Sequence, residues 1–225
     1  MLRLVPMMLG VLAAPVLAQT SPAPVPQPGP SPAPTIAPAP AVVLPRVQIT
    51  TTAGTFTVEV ETAKAPVTAA NFLHYVDQKK LDGITFYRTC KVADKFGFVQ
   101  FGTNGDPKRT LPPIKHEPTT ITGLKHLNGT LSTARLAPGS ARGDFTISVG
   151  DQPSFDADPA KPDDATKTNQ GYAAFGRVVD GMDVVLKIFD APIDPNATVR
   201  GSFKGEVPAA PVKVLSARRL PARST

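Results

Sequence analysis

Short runs of alternating apolar and polar residues, separated by loops rich in Gly, Pro, Asn and Asp, make up most of the chain after residue 46. The first two runs, "RVQITT" and "TFTVEVET", flank a turn at Ala53 and Gly54 and predict a β-hairpin with one buried face. Because strands and helices do not alternate in a βαβ rhythm, the pattern predicts a mainly β fold, an antiparallel barrel or sandwich. The later strand-like runs are "ITFYR", "FGFVQFG", "GTLSTAR", "DFTISVG", "YAAFGRVVD" and "PVKVLSARRL".

Two segments have helical patterns. The first begins at Pro66, a residue that suits the first turn of a helix, and it closes at Gly83. The second is the short segment "GMDVVLKIFDA". The apolar face predicted for the first helix consists of Val67, Ala70, Leu73 and Val76, with Phe72 as an alternative to Val76.

The first 18 residues are typical of a secretory signal peptide: Arg3 stands near the start, an apolar stretch follows, and small residues lead to Ala18. The alternative is a membrane anchor. The apolar run is about 14 residues long and is broken by Pro6 and Pro15, which is too short for a membrane span. We therefore predict a signal peptide over residues 1–18 and a periplasmic or otherwise exported protein.

Residues 19–46 contain ten of the 26 prolines of the chain and no charge before Arg46. Alternating Pro and Ala favours extended polyproline geometry over helix or sheet, so we predict a disordered linker. Two roles remain open for it: a spacer that holds a domain away from a membrane or wall, or a tail left after processing. The remaining residues divide into one folded domain, 47–220, and a C-terminal tail, 221–225.

Composition limits the kinds of site that the domain can carry. The single cysteine, Cys90, excludes an internal disulfide. The basic residues behind the formal charge of +6 are scattered, which argues against a nucleic-acid-binding face. His74, His116 and His126 do not have metal-ligand spacing. We predict no metal and no cofactor.

The stretch from Ile84 to Asp106 places one charge, Arg88, and one amide, Gln100, among aromatic residues and glycines. Polar groups in such surroundings need a partner within the protein or a role in binding. Taken alone, Arg88 is also compatible with a surface ion pair at the end of a strand.

Six motifs follow one another along the chain: "ITFYR", "GFVQFG", "IKHE", "GLKHLNGTLSTAR", "DFTISVGD" and "GYAAFGRVVDGMDVV". Their order and approximate spacing resemble those of the cyclophilin family of peptidyl-prolyl cis-trans isomerases, and the resemblance covers essentially all of residues 47–220. It implies a closed eight-stranded antiparallel barrel capped by two α-helices. It also implies a cofactor-free enzyme that accelerates rotation about the bond preceding proline.

The same resemblance assigns roles to individual residues. Arg88 matches the catalytic arginine, and Gln100 matches a glutamine that binds the substrate backbone and helps to position that arginine. Phe98 or Val99 corresponds to one apolar wall of the binding pocket, and Phe145 to another. The remaining substrate-binding positions that the resemblance implies are Ala134, Arg135, Asp144, Thr146 and Tyr172.

Three features depart from the family pattern. Arg88 and Gln100 are twelve residues apart, farther than in the family, so "KVADK" (residues 91–95) is interpreted as an insertion beside the groove. Asp144 stands in place of a glutamine. Thr146 stands in place of the phenylalanine that floors the proline pocket, a change that removes apolar contact with the ring.

The leading functional hypothesis is an exported prolyl isomerase that assists protein folding. Its predicted partners are proline-containing polypeptides and unfolded exported proteins, with no nucleic acid and no stable membrane insertion, and the protein is predicted to be a monomer. The alternative is a proline-peptide binding module or chaperone on the same fold with little turnover. A third hypothesis gives the linker itself a role in envelope architecture.

Overall fold

In the part of the chain that the structure describes, eight antiparallel strands form one curled sheet, and a pair of two-residue strands forms a second. The order in the large sheet is β10-β1-β2-β7-β5-β6-β4-β3, and β8 pairs with β9. The predicted mainly β class is therefore confirmed. The strands are β1 (Arg46–Thr51), β2 (Gly54–Val60), β3 (Thr85–Ala93), β4 (Phe96–Gly102), β5 (Thr130–Thr133), β6 (Asp144–Val149), β7 (Ala174–Asp180), β8 (Ile193–Asp194), β9 (Val207–Pro208) and β10 (Val214–Arg219).

The computed structural model describes residues 43–161 and 169–222, all within one compact unit, Ala41–Thr225. The predicted signal peptide, most of the predicted linker and the last three residues of the tail lie outside the described residues. None of the helices in the described ranges has the length and hydrophobicity that a membrane span requires.

The two edge strands of the large sheet, β3 and β10, meet at one point. An isolated antiparallel bridge joins Thr85 to Lys213. Around it, the amide of Val214 donates to the carbonyl of Ile84 over 2.9 Å, and the amide of Phe86 donates to the carbonyl of Val212 over 2.9 Å. These bonds engage backbone groups that an open sheet edge would leave unpaired.

Three α-helices accompany the sheet within the described residues: α1 (Pro66–Asp77), α2 (Thr119–Thr122) and α3 (Met182–Asp190). The two predicted helices correspond to α1, which begins at Pro66 as expected, and α3. The single turn α2 and the β8–β9 pair were not predicted. Both are too short to produce a periodic sequence pattern.

The buried face of α1 agrees only in part with the predicted one. Phe72, Leu73 and Val76 are buried as predicted, whereas Val67 is 38% exposed and Ala69, which was not predicted, is fully buried. The ring of Phe72 packs edge-on against that of Phe145, with 5.1 Å between their centroids. This contact with the sheet, rather than the periodicity of the helix alone, determines which side of α1 faces the core.

The core lies between the helices and the concave side of the sheet and is rich in aromatic rings. Phe86, Phe101 and Phe175 are fully buried. Phe86 and Phe101 stack with their centroids 4.7 Å apart. Since side chains alternate along a strand, the neighbours of these residues on the same strands point to the opposite face, where the candidate site is found.

Candidate active site

Four polar side chains form a row across four neighbouring strands. Arg88 of β3 lies opposite Gln100 of β4, Gln100 lies opposite Thr146 of β6, and Thr146 lies opposite Ser132 of β5. Directly opposed residues on paired strands project to the same face of a sheet. The sheet register therefore brings together residues that are far apart in sequence.

Residues 91–95, which the sequence interpretation treats as an insertion, form the tip of the β3–β4 hairpin. Cys90 pairs with Phe98, and Lys91 pairs with Gly97. The register of the same hairpin places Arg88 opposite Gln100, although the two residues are twelve positions apart.

This row borders a cleft of 640 Å³ on the face of the sheet away from the core. Two predicted site residues do not line it: Val99 and Phe145 are fully buried. Both alternate with cleft-facing residues on their strands, so their side chains point into the core. The predicted residues that do line the cleft are Arg88, Phe98, Gln100, Ala134, Arg135, Asp144, Thr146 and Tyr172.

The guanidinium of Arg88 is held on several sides. Its Nε donates to Oε2 of Glu206 over 2.5 Å, and its Nη1 donates to Oε1 of Gln100 over 3.2 Å. Its Cζ lies 4.0 Å from the ring centroid of Phe203 and 5.0 Å from that of Phe98. The ion pair considered for Arg88 does form, and Arg88 still lines the cleft.

Gln100 connects Arg88 to a partly buried acidic group, Asp144. Its Nε2 donates to the hydroxyl of Tyr87 over 2.7 Å, and that hydroxyl donates to Oδ1 of Asp144 over 3.1 Å. Because the Gln100 amide nitrogen is engaged in this way, its oxygen faces Arg88. Gly102 permits the approach of Asp144, because a Cβ at Gly102 would lie 2.6 Å from Oδ1.

The surroundings of Asp144 and Tyr87 change the acidity of both groups. Burial raises the pKa of Asp144, and hydrogen bonds from the Asn104 amide and the Tyr87 hydroxyl partly offset this effect. Burial and the neighbouring Asp144 raise the pKa of Tyr87, which therefore remains a neutral donor. The network thus places a neutral hydroxyl between an amide and a carboxyl group.

One wall of the cleft is a line of aromatic contacts. Phe98 packs edge-on against Phe155 with 5.7 Å between centroids, and Phe155 packs against Tyr172 at 5.2 Å. The guanidinium of Arg135 lies 5.0 Å from the ring centroid of Tyr172, and its Nε donates to the carbonyl of Gly171 over 3.0 Å. Arg135 therefore supports the wall through its side chain.

Ala134 and Arg135 lie just after the end of β5 at Thr133. The amide of Ala134 donates to the carbonyl of Asp144 over 2.9 Å, which continues the pairing of β5 with β6. Next to them, the hydroxyls of Thr146 and Ser132 are hydrogen-bonded to each other over 2.8 Å. The cleft floor at Thr146 is therefore polar, but its hydroxyl is already engaged.

The sequence did not identify Glu206, which pairs with Arg88. It also did not identify five residues that line the cleft: Leu136, Ser140, Arg142, Phe155 and Phe203. Phe155 lies in a one-turn 3-10 helix, Pro153–Phe155, between β6 and β7. Each phenylalanine is a lone aromatic residue in a polar segment, "QPSFDAD" and "RGSFKGE". An isolated aromatic residue in a polar loop is a weak indication of a binding role, because such a loop contributes little to a packed core.

The arrangement suits the binding of a partly apolar ligand that carries a hydrogen-bond acceptor. The aromatic wall supplies apolar contact area, and Arg88 supplies a hydrogen-bond donor whose plane is fixed by two partners. In the part of the chain that the structure describes, no group of three or more His, Cys, Asp or Glu side chains is arranged to hold a metal ion.

Comparison with known families and proteins gives a consistent result. Residues 46–219 match the family model for cyclophilin type peptidyl-prolyl cis-trans isomerase/CLD. A peptidyl-prolyl cis-trans isomerase of Acinetobacter baylyi is 37% identical over 174 residues, covering 76% of this chain and 82% of the relative. Peptidyl-prolyl cis-trans isomerase B of Escherichia coli is 35% identical over 163 residues, covering 70% of this chain and 89% of the relative.

The fold is also found among solved structures. A cyclophilin type peptidyl-prolyl cis-trans isomerase of Cryptosporidium parvum superposes with a TM-score of 0.61 at 19% identity, covering 80% of this chain and 99% of the other. A second structure of that protein, in the presence of the dipeptide Ala-Pro, superposes with a TM-score of 0.60 at 20% identity. At these identities the likeness concerns the fold.

Proposed function

The chain belongs to the cyclophilin-type peptidyl-prolyl cis-trans isomerase family, and we propose from this premise that it accelerates rotation about Xaa-Pro bonds in exported polypeptides. The observation that carries the proposal is the position of Arg88, fixed by Gln100 and exposed to a cleft with an aromatic wall. The Ala-Pro dipeptide named with the C. parvum cyclophilin supports a proline-containing peptide as the ligand.

The reaction requires no nucleophile and no proton transfer. The barrier to rotation, about 18–20 kcal/mol, arises from the partial double-bond character of the amide. When the bond twists, the prolyl nitrogen regains its lone pair, and Arg88 donates a hydrogen bond to it. This contact exists only near the transition state, so it lowers the barrier instead of strengthening ground-state binding.

The remaining site residues bind the peptide. Phe98, Phe155 and Tyr172 supply the apolar wall, with the proline ring between this wall and Thr146. A single hydrogen bond from a charged group contributes about 1.5–3 kcal/mol, which corresponds to roughly one to two powers of ten in rate. The rest of the acceleration comes from binding the peptide residues that flank the proline.

The decisive experiment measures the exchange between cis and trans isomers of a short Xaa-Pro peptide by NMR, without a coupled protease. We expect the wild-type protein to accelerate exchange and Arg88→Ala to lose about 10- to 100-fold in kcat/KM, the contribution of one charge-assisted hydrogen bond. Arg177→Ala is the matched control, because Arg177 is also ion-paired with a glutamate, Glu59, at 3.1 Å.

The outcome that would contradict isomerase activity is specific. If the wild-type protein binds the peptide but leaves its exchange rate unchanged, the domain is a proline-peptide binding module or chaperone. Arg177→Ala should behave as wild type in every case.

The cellular context forms part of the same proposal: the protein is exported, its clients are unfolded exported proteins, and it acts as a monomer. Support comes from the sequence of residues 1–18 and from the proline-rich segment that follows. Mass spectrometry of the protein from fractionated cells tests this proposal, with a mature N-terminus at Gln19 as the expected result. A cytosolic protein that retains Met1 would contradict it.

We also propose that the curled sheet closes into a barrel. The hydrogen bonds between β3 and β10 around Thr85 and Lys213 support closure. In a closed barrel the amides of Phe86 and Val214 should be protected from hydrogen exchange as strongly as those within the sheet.

A further inference from the structure

The segment between β8 and β9, residues 195–206 (the β8–β9 loop), approaches Arg88 from the far end of the chain. Glu206, which is 118 residues from Arg88 in sequence, accepts a hydrogen bond from its Nε over 2.5 Å. Phe203 lies over the guanidinium, with its ring centroid 4.0 Å from Cζ. Two side chains of one loop thus contact the same guanidinium.

The loop is anchored to the strand that carries Arg88. The amide of Thr89, the next residue along β3, donates to the carbonyl of Glu206 over 2.7 Å. The amide of Glu206 in turn donates to the carbonyl of Phe203 over 2.9 Å. These backbone bonds set the distance from Glu206 and Phe203 to Arg88 without depending on their side chains.

A tight turn shapes the tip of this loop. Val199 and Ser202 form an isolated antiparallel bridge, with backbone hydrogen bonds of 2.8 and 2.9 Å. Phe203 itself has a φ of +63°, a left-handed conformation that is uncommon for a phenylalanine. The ring reaches Arg88 because the turn holds the backbone in this conformation.

The contacts leave the guanidinium with a defined orientation. Glu206 engages Nε and Gln100 engages Nη1, so two of its three nitrogens have partners. Within the described ranges, Nη2 has no hydrogen-bond partner. A long side chain with many rotamers is thereby held in one plane, with donor capacity remaining for a ligand.

We infer that Glu206 and Phe203 are positioning residues for Arg88, a role that rests on the proposed isomerase function of the cleft. Glu206 fixes the plane of the guanidinium by its hydrogen bond to Nε, and Phe203 covers one side of it. Neither side chain needs to touch the prolyl nitrogen. The two side chains increase the fraction of time in which the Arg88 guanidinium is oriented to stabilise the twisted bond.

Glu206 could instead restrain Arg88, and a restraining role predicts the opposite effect on kcat. A carboxylate beside a guanidinium lowers the positive potential that the guanidinium presents to a ligand. If that effect dominated, Glu206 would restrain the enzyme, and its removal would raise the rate. The direction of the change in kcat therefore separates a positioning role from a restraining one.

The test compares Glu206→Ala, Glu206→Gln and Phe203→Leu in the NMR exchange assay, with the full chain and a short Xaa-Pro peptide. For Glu206→Ala we expect kcat to fall about tenfold, as for a catalytic group that has become misplaced, while KM stays within about twofold. Glu206→Gln should recover most of the rate, because its amide oxygen can still accept from Nε. Phe203→Leu should lower kcat less than Glu206→Ala does.

Glu59→Gln is the matched control, since Glu59 pairs with Arg177 at 3.1 Å and should leave kcat unchanged when substituted. A second control combines Glu206→Ala with Arg88→Ala. If Glu206 acts through Arg88, the double variant should be no slower than Arg88→Ala alone. An additive loss would overturn the proposal, as would an unchanged or increased kcat in Glu206→Ala.

A spectroscopic readout keeps the inference separate from the proposed function. In the wild-type protein the Nε–H of Arg88 should give an observable, slowly exchanging NMR signal, which should disappear or exchange rapidly in Glu206→Ala. If the wild-type protein shows no isomerase activity but this signal behaves as expected, the proposed function fails while the positioning contact stands. If the protein is active and the signal does not depend on Glu206, the positioning role fails.

Discussion

Thr146 shows how one side chain sets the character of the cleft floor. It occupies a position where the family resemblance leads one to expect a phenylalanine, and it is 9% exposed. Its hydroxyl bonds to that of Ser132, so the polar group is satisfied inside the protein. A bound proline ring would nevertheless have to contact an engaged hydroxyl in place of an aromatic surface.

Thr146→Val should strengthen peptide binding and weaken the fold. Valine has nearly the same shape, and it removes the cost of covering a hydroxyl with a proline ring, about 0.5–2 kcal/mol. The loss of the hydrogen bond leaves Ser132 without its partner and should lower the free energy of unfolding by about 1 kcal/mol. Titration with a proline peptide and urea unfolding measure the two effects.

Ser132→Ala is the matched control for Thr146→Val. It breaks the same hydrogen bond, but Ser132 is 1% exposed and the cleft floor at Thr146 is unchanged. Stability should fall with no gain in affinity. Equal affinity changes in the two variants would show that the hydroxyl of Thr146 does not affect the ligand.

At the scale of single elements, α1 depends on a residue outside itself. Ala65 at its N-cap supplies no side-chain hydrogen bond. Glu117 takes this role instead: its carboxylate accepts from the amide of Val67 over 3.1 Å and from the amide of Thr68 over 2.7 Å. A carboxylate at this end also interacts favourably with the helix dipole.

Glu117→Ala should lower the free energy of unfolding by about 1–2 kcal/mol, the usual cost of losing an N-terminal cap. Glu117→Gln should cost less, because an amide oxygen can still accept one of these hydrogen bonds. Urea unfolding checks both values. Glu59→Gln, at a partly exposed ion pair worth about 0–1 kcal/mol, is the comparison, and an equal loss there would rule out a specific capping role.

The β3–β4 hairpin illustrates the limits of prediction at this scale. The alternation in "FGFVQFG" identifies the strand, and the family resemblance implies that Gln100 helps to position Arg88; the register of the hairpin places the two residues opposite each other. The sequence alone left both Phe98 and Val99 as candidates for the cleft wall. Only the register of β4 against β3 and β6 decides that Phe98 faces the cleft and Val99 the core.

At the scale of the whole molecule, His126 joins two parts of the chain that flank the cleft. Its Nδ1 is hydrogen-bonded to Oδ1 of Asp156 over 2.7 Å, next to Phe155 in the aromatic wall. Its other ring nitrogen, Nε2, is buried and has no partner within the described residues. Burial lowers the pKa of His126, although the contact with Asp156 partly offsets this effect.

This lowered pKa predicts a loss of stability in mild acid. A histidine in the unfolded chain has a pKa of about 6.5. Below this pH, His126 is therefore protonated in the unfolded chain while it remains neutral in the folded protein. The free energy of unfolding should therefore decrease as the pH falls from about 6.5 towards the folded pKa. His116, whose pKa is also lowered by burial, acts in the same direction.

Urea unfolding at a series of pH values tests this dependence. His126→Gln should reduce the dependence of the free energy of unfolding on pH just below pH 6.5. Adding His116→Gln should remove most of the remaining dependence. A slope that survives both substitutions would assign the acid sensitivity to other groups. The carboxylates of Asp77 and Asp82 titrate at lower pH, because hydrogen bonds from Arg219 and Arg218 lower their pKa values.

The sequence by itself determined the class of fold and the start of α1, and the resemblance of its motifs to a known family assigned Arg88 and Gln100 to one site. The first two follow from local patterns, alternation along strands and a proline in a first helical turn; the third follows from the order of the motifs, although Arg88 and Gln100 stand farther apart than in the family. The tertiary structure alone decided that Glu206 and Phe203 meet Arg88 and that Val99 and Phe145 enter the core. Contacts between distant residues depend on how strands align and loops return, which no local pattern encodes.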